Sequence, residues 1–375
     1  MTNSYVKLGD LATYINGYAF KPKDRGDKGL PIIRIQDLTG NTYDKGFYDG
    51  KYPSKIEINN GDVLISWSAS LGVYLWNGGK ALLNQHIFKV IFDKKEIDKD
   101  YFIYAVRFSL KRLHQLTHGA TMKHIVKKDF DNVVIPYPSI KKQKEIAFNL
   151  DKIESIIKTR QQEIRMLDTL IKARFVEMFG DPVLNPNNYE LIKLSDLGAL
   201  NRGKSKHRPR NDPKLLGGPY PLIQTGDITN SDIFIRKYNS TYSKFGLEQS
   251  KMWPEGTFCI TIAANIAQTA ILSFNACFPD SVVGFIPNSD RITTIYLHYW
   301  FSFYQKILDT QASQVAQKNI NLKVLSNLDI AVPPKAEQDN FLSFVQQVDK
   351  SKVAVQKSLE ETQTLFDSLM QKYFS

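Results

Sequence analysis

The sequence predicts a mixed α/β (α+β) protein. Two mixed globular domains are joined by two long antiparallel helices forming a coiled coil, and a pseudo-twofold internal duplication relates the halves. Three observations carry this expectation. The chain repeats itself at near-constant register, each copy opens with short β-branched and aromatic runs, and each copy closes with a glycine-free, proline-free heptad segment. The expected boundaries are 1-138 for the first globular domain and 139-180 for the first helix, then 181-334 for the second domain and 335-375 for the second helix.

The repeat is visible from the start of the chain. Lys7-Leu8-Gly9-Asp10-Leu11 returns as Lys193-Leu194-Ser195-Asp196-Leu197, and Pro31–Thr39 returns as Pro221–Thr229. From Gly61 onward a shift of 195 residues keeps the halves in step. Gly61, Ala69, Lys123, Ile125, Asn132, Pro138, Gln143, Leu170 and Phe179 fall on Gly256, Ala264, Lys318, Ile320, Asn327, Pro333, Gln338, Leu365 and Phe374. A constant register over more than a hundred residues marks two copies of one supersecondary unit.

Within each copy, runs such as Asp62–Trp67 and Thr257–Ile262 read as equivalent buried strands between glycine, proline and asparagine turns. Tyr101–His114 and Ile295–Leu308 are apolar at helical spacing. Proline-marked boundaries, Ile135-Pro136-Tyr137-Pro138 and Val332-Pro333-Pro334, then introduce the long helices. Ile146, Leu150, Ile153, Ile157, Arg160, Ile164, Leu167, Ile171, Arg174 and Met178 alternate spacings of four and three. Their counterparts are Phe341, Val345, Val348, Lys352, Val355, Leu359, Thr362, Phe366, Leu369 and Tyr373. Eight of ten positions in each set are apolar, which is a coiled-coil seam. A helix of about 40 residues reaches roughly 60 Å. The link after Phe179-Gly180-Asp181-Pro182 is too short to travel back along it, so the second helix is expected to return antiparallel to the first.

Composition narrows the class of function. The chain of 375 residues has 49 lysines and arginines against 38 acidic residues, a net charge of +11. Residues 1–190 contribute +7 and residues 191–375 contribute +4, so both halves are basic and a polyanion is an expected partner. The two cysteines, Cys259 and Cys277, make neither a disulfide framework nor a zinc site. No secretion-type leader and no apolar run of the ~18 residues a membrane span needs is present, so a cytoplasmic protein with no membrane partner is expected.

On these residues the sequence resembles the specificity subunit of type I restriction–modification systems over essentially its whole length. The resemblance rests on the duplicated domain-plus-helix layout and on Lys318-Asn319-Ile320 leading to Leu328–Pro334. It rests also on the helix exit Arg174–Pro182 and on Pro221–Ile228. It implies two target-recognition domains, each reading one half of a bipartite double-stranded DNA target. It also implies helices that set the gap between half-sites and dock two modification subunits, with restriction subunits joining them. S-adenosylmethionine, ATP and Mg²⁺ would serve those partners, and this chain would hold no cofactor or metal and have no catalytic residue. Lys123-His124-Ile125 departs from the Lys-Asn-Ile of the second half.

Several motifs point elsewhere. Gly198–Ser205 matches G-x-x-x-x-G-K-S formally, and a self-contained P-loop ATPase or nuclease is the alternative reading. A P-loop must open a helix, whereas Pro209 and Pro213 follow closely. A solitary antirestriction-type DNA binder is a third reading. His114 and His118 have metal-ligand spacing but no signalled third ligand. Asn185-Pro186-Asn187-Asn188-Tyr189 lacks the second proline of the methyltransferase motif it approaches, and no glycine-rich cofactor loop precedes it.

The expected DNA contacts are therefore a basic loop, Lys204, Lys206, Arg208 and Arg210, and its first-domain counterpart, Lys21, Lys23 and Arg25. Gln36, Gln224 and Thr225, at duplicated turns, are candidate base readers, since an amide matches the donor and acceptor of adenine. Asp37 and Asp227 are expected to satisfy turn backbone instead.

Overall fold

The computed structural model describes residues 4–41, 44–68, 70–116, 127–263, 266–312 and 320–375, without the side chains of 112–116 and 306–312. Ala69, Lys123-His124-Ile125, Ala264 and Lys318-Asn319 lie outside the described residues, as do His118 and the His114 side chain.

The first copy opens with β1 (Tyr5–Lys7), β2 (Thr13–Asn16), β3 (Leu30–Ile33), α1 (Ile35–Leu38) and β4 (Phe47–Tyr48). It continues through β5 (Glu57–Ile58), β6 (Val63–Ser66), β7 (Gly72–Leu75), β8 (Ala81–Leu83) and β9 (Ile87–Ile91). Next come α2 (Lys99–Leu116), α3 (Lys127–Asp131), β10 (Val134–Pro136) and the long α4 (Ile140–Phe179). The second copy begins with β11 (Glu190–Lys193), β12 (Gly198–Arg202), β13 (Leu216–Leu222), α5 (Thr225–Thr229), β14 (Phe234–Ile235) and β15 (Ser240–Tyr242). There follow α6 (Lys244–Glu248), β16 (Met252–Trp253), β17 (Phe258–Thr261), β18 (Thr269–Leu272), β19 (Ala276–Cys277) and β20 (Val282–Pro287). Helices α7 (Thr294–Ala312) and α8 (Leu322–Ser326), strand β21 (Asp329–Val332) and the long α9 (Lys335–Phe374) complete it.

The duplication extends to strand order. One sheet runs β2-β9-β6-β7 in the first copy and β12-β20-β17-β18-β14 in the second, which adds an edge strand. A second sheet runs β4-β3-β8-β5 and then β15-β13-β19-β16, each with one parallel pairing at its centre, Ile32 with Leu82 and Leu222 with Cys277. Antiparallel pairs β1-β10 and β11-β21 lead into the long helices. Strands β6 and β17 are buried on both faces, as their unbroken apolar runs predict.

The repeat is also written in buried hydrogen bonds. Gln143 donates through Nε2 to the Pro138 carbonyl at 2.8 Å and accepts the Asp98 N–H at 2.9 Å. Gln338 repeats this with the Pro333 carbonyl and the Thr293 N–H, both at 2.9 Å. Tyr101 donates its hydroxyl to the Pro136 carbonyl, and Tyr296, 195 residues on, donates to that of Ala331. Gly61 and Gly256 both adopt positive φ, 88° and 81°, which explains why glycine stands at both. At the end of α4, Gly180 has φ 70° and its N–H bonds the Val176 carbonyl, a left-handed helix stop.

The chain divides into two compact units, Met1–Gln161 with Lys357–Ser375, and Gln162–Gln356, so each unit holds part of both long helices. In the first unit Ile146, Leu150 and Ile157 of α4 and Phe366, Met370 and Phe374 of α9 enter the core formed with Tyr101–Val106 of α2. In the second unit Ile171, Phe175 and Phe179 meet Phe341, Val345 and Val348 beside Tyr296, Tyr299 and Trp300. Burying each such side chain contributes about 1.5–3 kcal/mol. The two helices run antiparallel in that unit. Phe179 packs on Phe341 with ring centroids 5.5 Å apart, and eleven residues away on each helix Asp168 binds Lys352 at 2.5 Å. All twenty expected seam positions are buried or half-buried.

Candidate nucleic-acid interface

The basic loop leaves β12 at Gly203, which is buried. A Cβ there would stand 2.4 Å from the carbonyl oxygens of Phe278 and Pro279, so only glycine lets the chain turn out at this point. The loop backbone is then strapped down: Ser250 donates to the Lys204 carbonyl at 2.9 Å and the Lys206 N–H donates to that of Gln249 at 3.1 Å. Lys204, Lys206, Arg208 and Arg210 are all exposed, so the fixed backbone presents four cations to solvent. His207 bonds Asp212 at 2.8 Å and closes the loop. The Lys214 N–H and then His207 hold the Asp212 carboxyl below the usual carboxylate range.

Asp280 organises the arginines. Its carboxylate pairs with Arg210 and, at 3.6 Å, with Arg208, while its backbone oxygen takes two N–H bonds from Arg202 at 2.9 and 2.6 Å. Three guanidinium groups around one acid leave excess positive charge in a defined direction, suited to an anionic polymer.

Arg210 lies in a cleft of about 320 Å³ with Asn211, Gln224, Thr225, Tyr242 and Ser281. The structure thus brings Arg210 of the basic loop together with Gln224 and Thr225 in one concave surface, while Lys204, Lys206 and Arg208 do not line it. Gln224 is exposed at the N-terminus of α5, with Nε2 3.5 Å from Ser240 Oγ, and Thr225 is half-buried. Guanidinium and carboxamide forks are the groups that read guanine and adenine edges. Asp227 does not join them. Its Oδ2 accepts the Gln224 N–H at 2.8 Å and its Oδ1 accepts Asn239 Nδ2 at 2.7 Å, so it is a buried turn organiser.

In the first domain Lys21, Lys23 and Arg25 are exposed and occupy the β2–β3 connection, the topological equivalent of the β12–β13 loop. Gln36 is half-buried within α1. The capping pattern keeps the register of the sequence repeat, which places Gln36 opposite Gly226 and not opposite Gln224. The Arg34 N–H bonds Asp37 Oδ2 at 2.8 Å as the Gln224 N–H bonds Asp227, making Arg34 the positional counterpart of Gln224. The Arg34 guanidinium is buried, paired with Asp37 at 3.3 Å and bonded to the Asp44 carbonyl.

Sequence reasoning missed Arg202, Tyr242 and Asp280. Arg202 was hidden inside the P-loop-like string, and Asp280 stands 70 residues from Arg210, so no local pattern joins them. The string itself is not a P-loop. Gly198–Arg202 is a strand paired with β20, and after Lys204-Ser205 comes a loop and the single turn Pro213–Leu215 rather than a phosphate-facing helix. Both thiols are buried, and burial pushes their pKa values up, the reverse of an activated nucleophile. Among the described residues no group of three potential ligands could hold a metal ion, and no helix is long and apolar enough to cross a membrane.

Residues 2–166 and 186–362 match the family described as the type I restriction modification DNA specificity domain. The type I restriction enzyme EcoBI specificity subunit of Escherichia coli is 24% identical, over 98% of this chain and 85% of that protein. The MjaVIII specificity subunit of Methanocaldococcus jannaschii is 26% identical, over 92% and 85%. Among solved structures, the type I restriction–modification S subunit from M. genitalium shares the fold with TM-score 0.62 and 14% identity, covering 100% of this chain and 97% of its own. A chain from a study of type I complex assembly and conformational transition has TM-score 0.58 and 17% identity, covering 100% and 98%.

Proposed function

Because the chain belongs to the type I restriction–modification DNA specificity family, we propose that it reads a bipartite DNA target without catalysing a reaction itself, and positions partner modification subunits over the two half-sites. The observation that carries this reading is the duplicated recognition domain, with an exposed basic loop at the same topological place in each copy. Lys21, Lys23 and Arg25 in one domain and Lys204, Lys206 and Arg208 in the other contact phosphates and fix register. Arg210, Gln224 and Thr225 face base edges in the major groove, and Gln36 contributes in the first domain. The half-sites lie about one helical turn of DNA apart.

The long helices supply the docking surface for two modification subunits, with restriction subunits completing the assembly. Phe148 and Ile156 in the first unit and Met166 and Leu170 in the second stand exposed on α4, more apolar surface than a solvated helix needs. S-adenosylmethionine, ATP and Mg²⁺ act on those partners, and this chain works in the cytoplasm, where its DNA is.

The test is to reconstitute the chain with a modification subunit and map methylated sites by sequencing. Arg210→Ala and Gln224→Ala should each relax one base of one half-site, lowering discrimination there by about 5- to 150-fold, with the other half-site and the gap unchanged. ATP turnover, cleavage or methyl transfer by the purified chain alone would overturn the reading.

A further inference from the structure

Lys352 occupies a seam position of α9, yet it is charged and its side chain is only 10% exposed. It binds Asp168 of α4 at 2.5 Å and Asp232 of the second recognition domain at 2.9 Å. The two acids remain 42% and 60% exposed, so the buried lysine is the pivot and the carboxylates are its two arms. Burial alone would lower the ammonium pKa, but the hydrogen bonds to Asp168 and Asp232 outweigh it and raise it. A second tie lies beside the first: Arg236 pairs with Asp349 of α9 at 2.5 Å.

The first unit differs at the equivalent positions. Ile157, buried and apolar, stands where the 195-residue shift places Lys352. Glu154, the counterpart of Asp349, is taken by Tyr104 and Arg107 of α2, at 2.9 and 3.0 Å, and so ties helix to helix. In the second unit the ties reach instead to the segment from Asp232 to Arg236. That segment is continuous with the base-reading turn, since Ser231 donates to the Asp227 carbonyl at 2.7 Å and Gln224 and Thr225 open the same short helix.

We infer that Lys352 is a positioning residue for DNA recognition, an ionic pin that fixes the second domain's reading turn on the helix pair and thereby sharpens discrimination of the half-site gap. A polar residue at a coiled-coil seam is a register device that sacrifices some stability for a single alignment. Here one ammonium enforces two alignments, helix to helix through Asp168 and helix to reading turn through Asp232. The inference rests on the specificity reading above.

The experiment uses the complex with its modification subunit and DNA substrates whose half-sites stand at the native gap or one base pair longer or shorter. Wild-type complex should methylate the native gap selectively; failure there would refute the specificity reading itself, separately from this inference. Lys352→Met and Asp232→Asn should each raise methylation of the off-gap substrates, relative to the native one, by roughly tenfold, since displacements of an ångström are worth up to about a hundredfold. Lys352→Arg should restore gap discrimination. Because Asp232 is largely solvated, Asp232→Asn leaves the Lys352–Asp168 pair to support folding. A native gap profile in Asp232→Asn, whatever Lys352→Met does, would overturn the assignment.

Discussion

His298 shows how one residue can make the second unit sensitive to pH. It lines a cleft of about 240 Å³ with Asp168, Lys172, Asp232 and Gln268, and its Nδ1 is hydrogen-bonded to the Thr269 hydroxyl at 3.0 Å. Desolvation, reinforced by Lys172 and opposed by Asp232, lowers its pKa from 6.5 to about 4. A depressed folded-state histidine keeps its full contribution above pH 6.5 and loses it as pH falls toward 4, because the unfolded chain takes up the proton first. Stability should fall in that window by up to about 1.4 kcal/mol per pH unit from this residue. Denaturant unfolding of wild type and His298→Gln from pH 7 to 4 measures the difference. Equal slopes for the two would dismiss the assignment. Nothing in the sequence around His298 announced this role, because the partners that desolvate it come from α4 and β18 and meet it only on folding.

The long helices, in contrast, were legible almost to the residue. Heptad periodicity is local information, repeated in every turn, and the observed Ile140–Phe179 and Lys335–Phe374 lie within a residue or so of the expected spans. Sheet order was not legible, since β3 pairs with β8 across some fifty intervening residues and pattern alone does not choose partners. The seam makes a quantitative prediction. Leu150 is fully buried between α2 and the helix pair, so Leu150→Ala should cost about 2–5 kcal/mol, the range for a large core residue that leaves a cavity. Exposed Leu170→Ala on the same helix should cost less than about 0.5 kcal/mol. Urea titrations of the two variants distinguish a seam from a uniformly amphipathic helix.

For the molecule as a whole, duplication was the most legible feature, and the candidate reading surface the least. The repeat survived in buried groups with fixed jobs, such as Gln143 and Gln338 or Tyr101 and Tyr296, because their hydrogen bonds admit no substitute. The turns diverged at this position: Arg34 is buried inside its own domain where Gln224 is exposed. Removing four residues, about one helical turn, from both α4 and α9 should alter the gap in the methylated motif while preserving both half-sites. A motif with changed half-sites and an unchanged gap would show that the helices do not measure distance. The division into units also has a consequence in time. The first unit is finished only by residues 357–375, so during synthesis Ile146, Leu150 and Ile157 emerge long before Phe366, Met370 and Phe374 exist to cover them. The second unit is made entirely of contiguous chain. Closing the first core therefore means joining segments some two hundred residues apart in sequence, a long-range contact that is slow to form and leaves apolar surface open until it does.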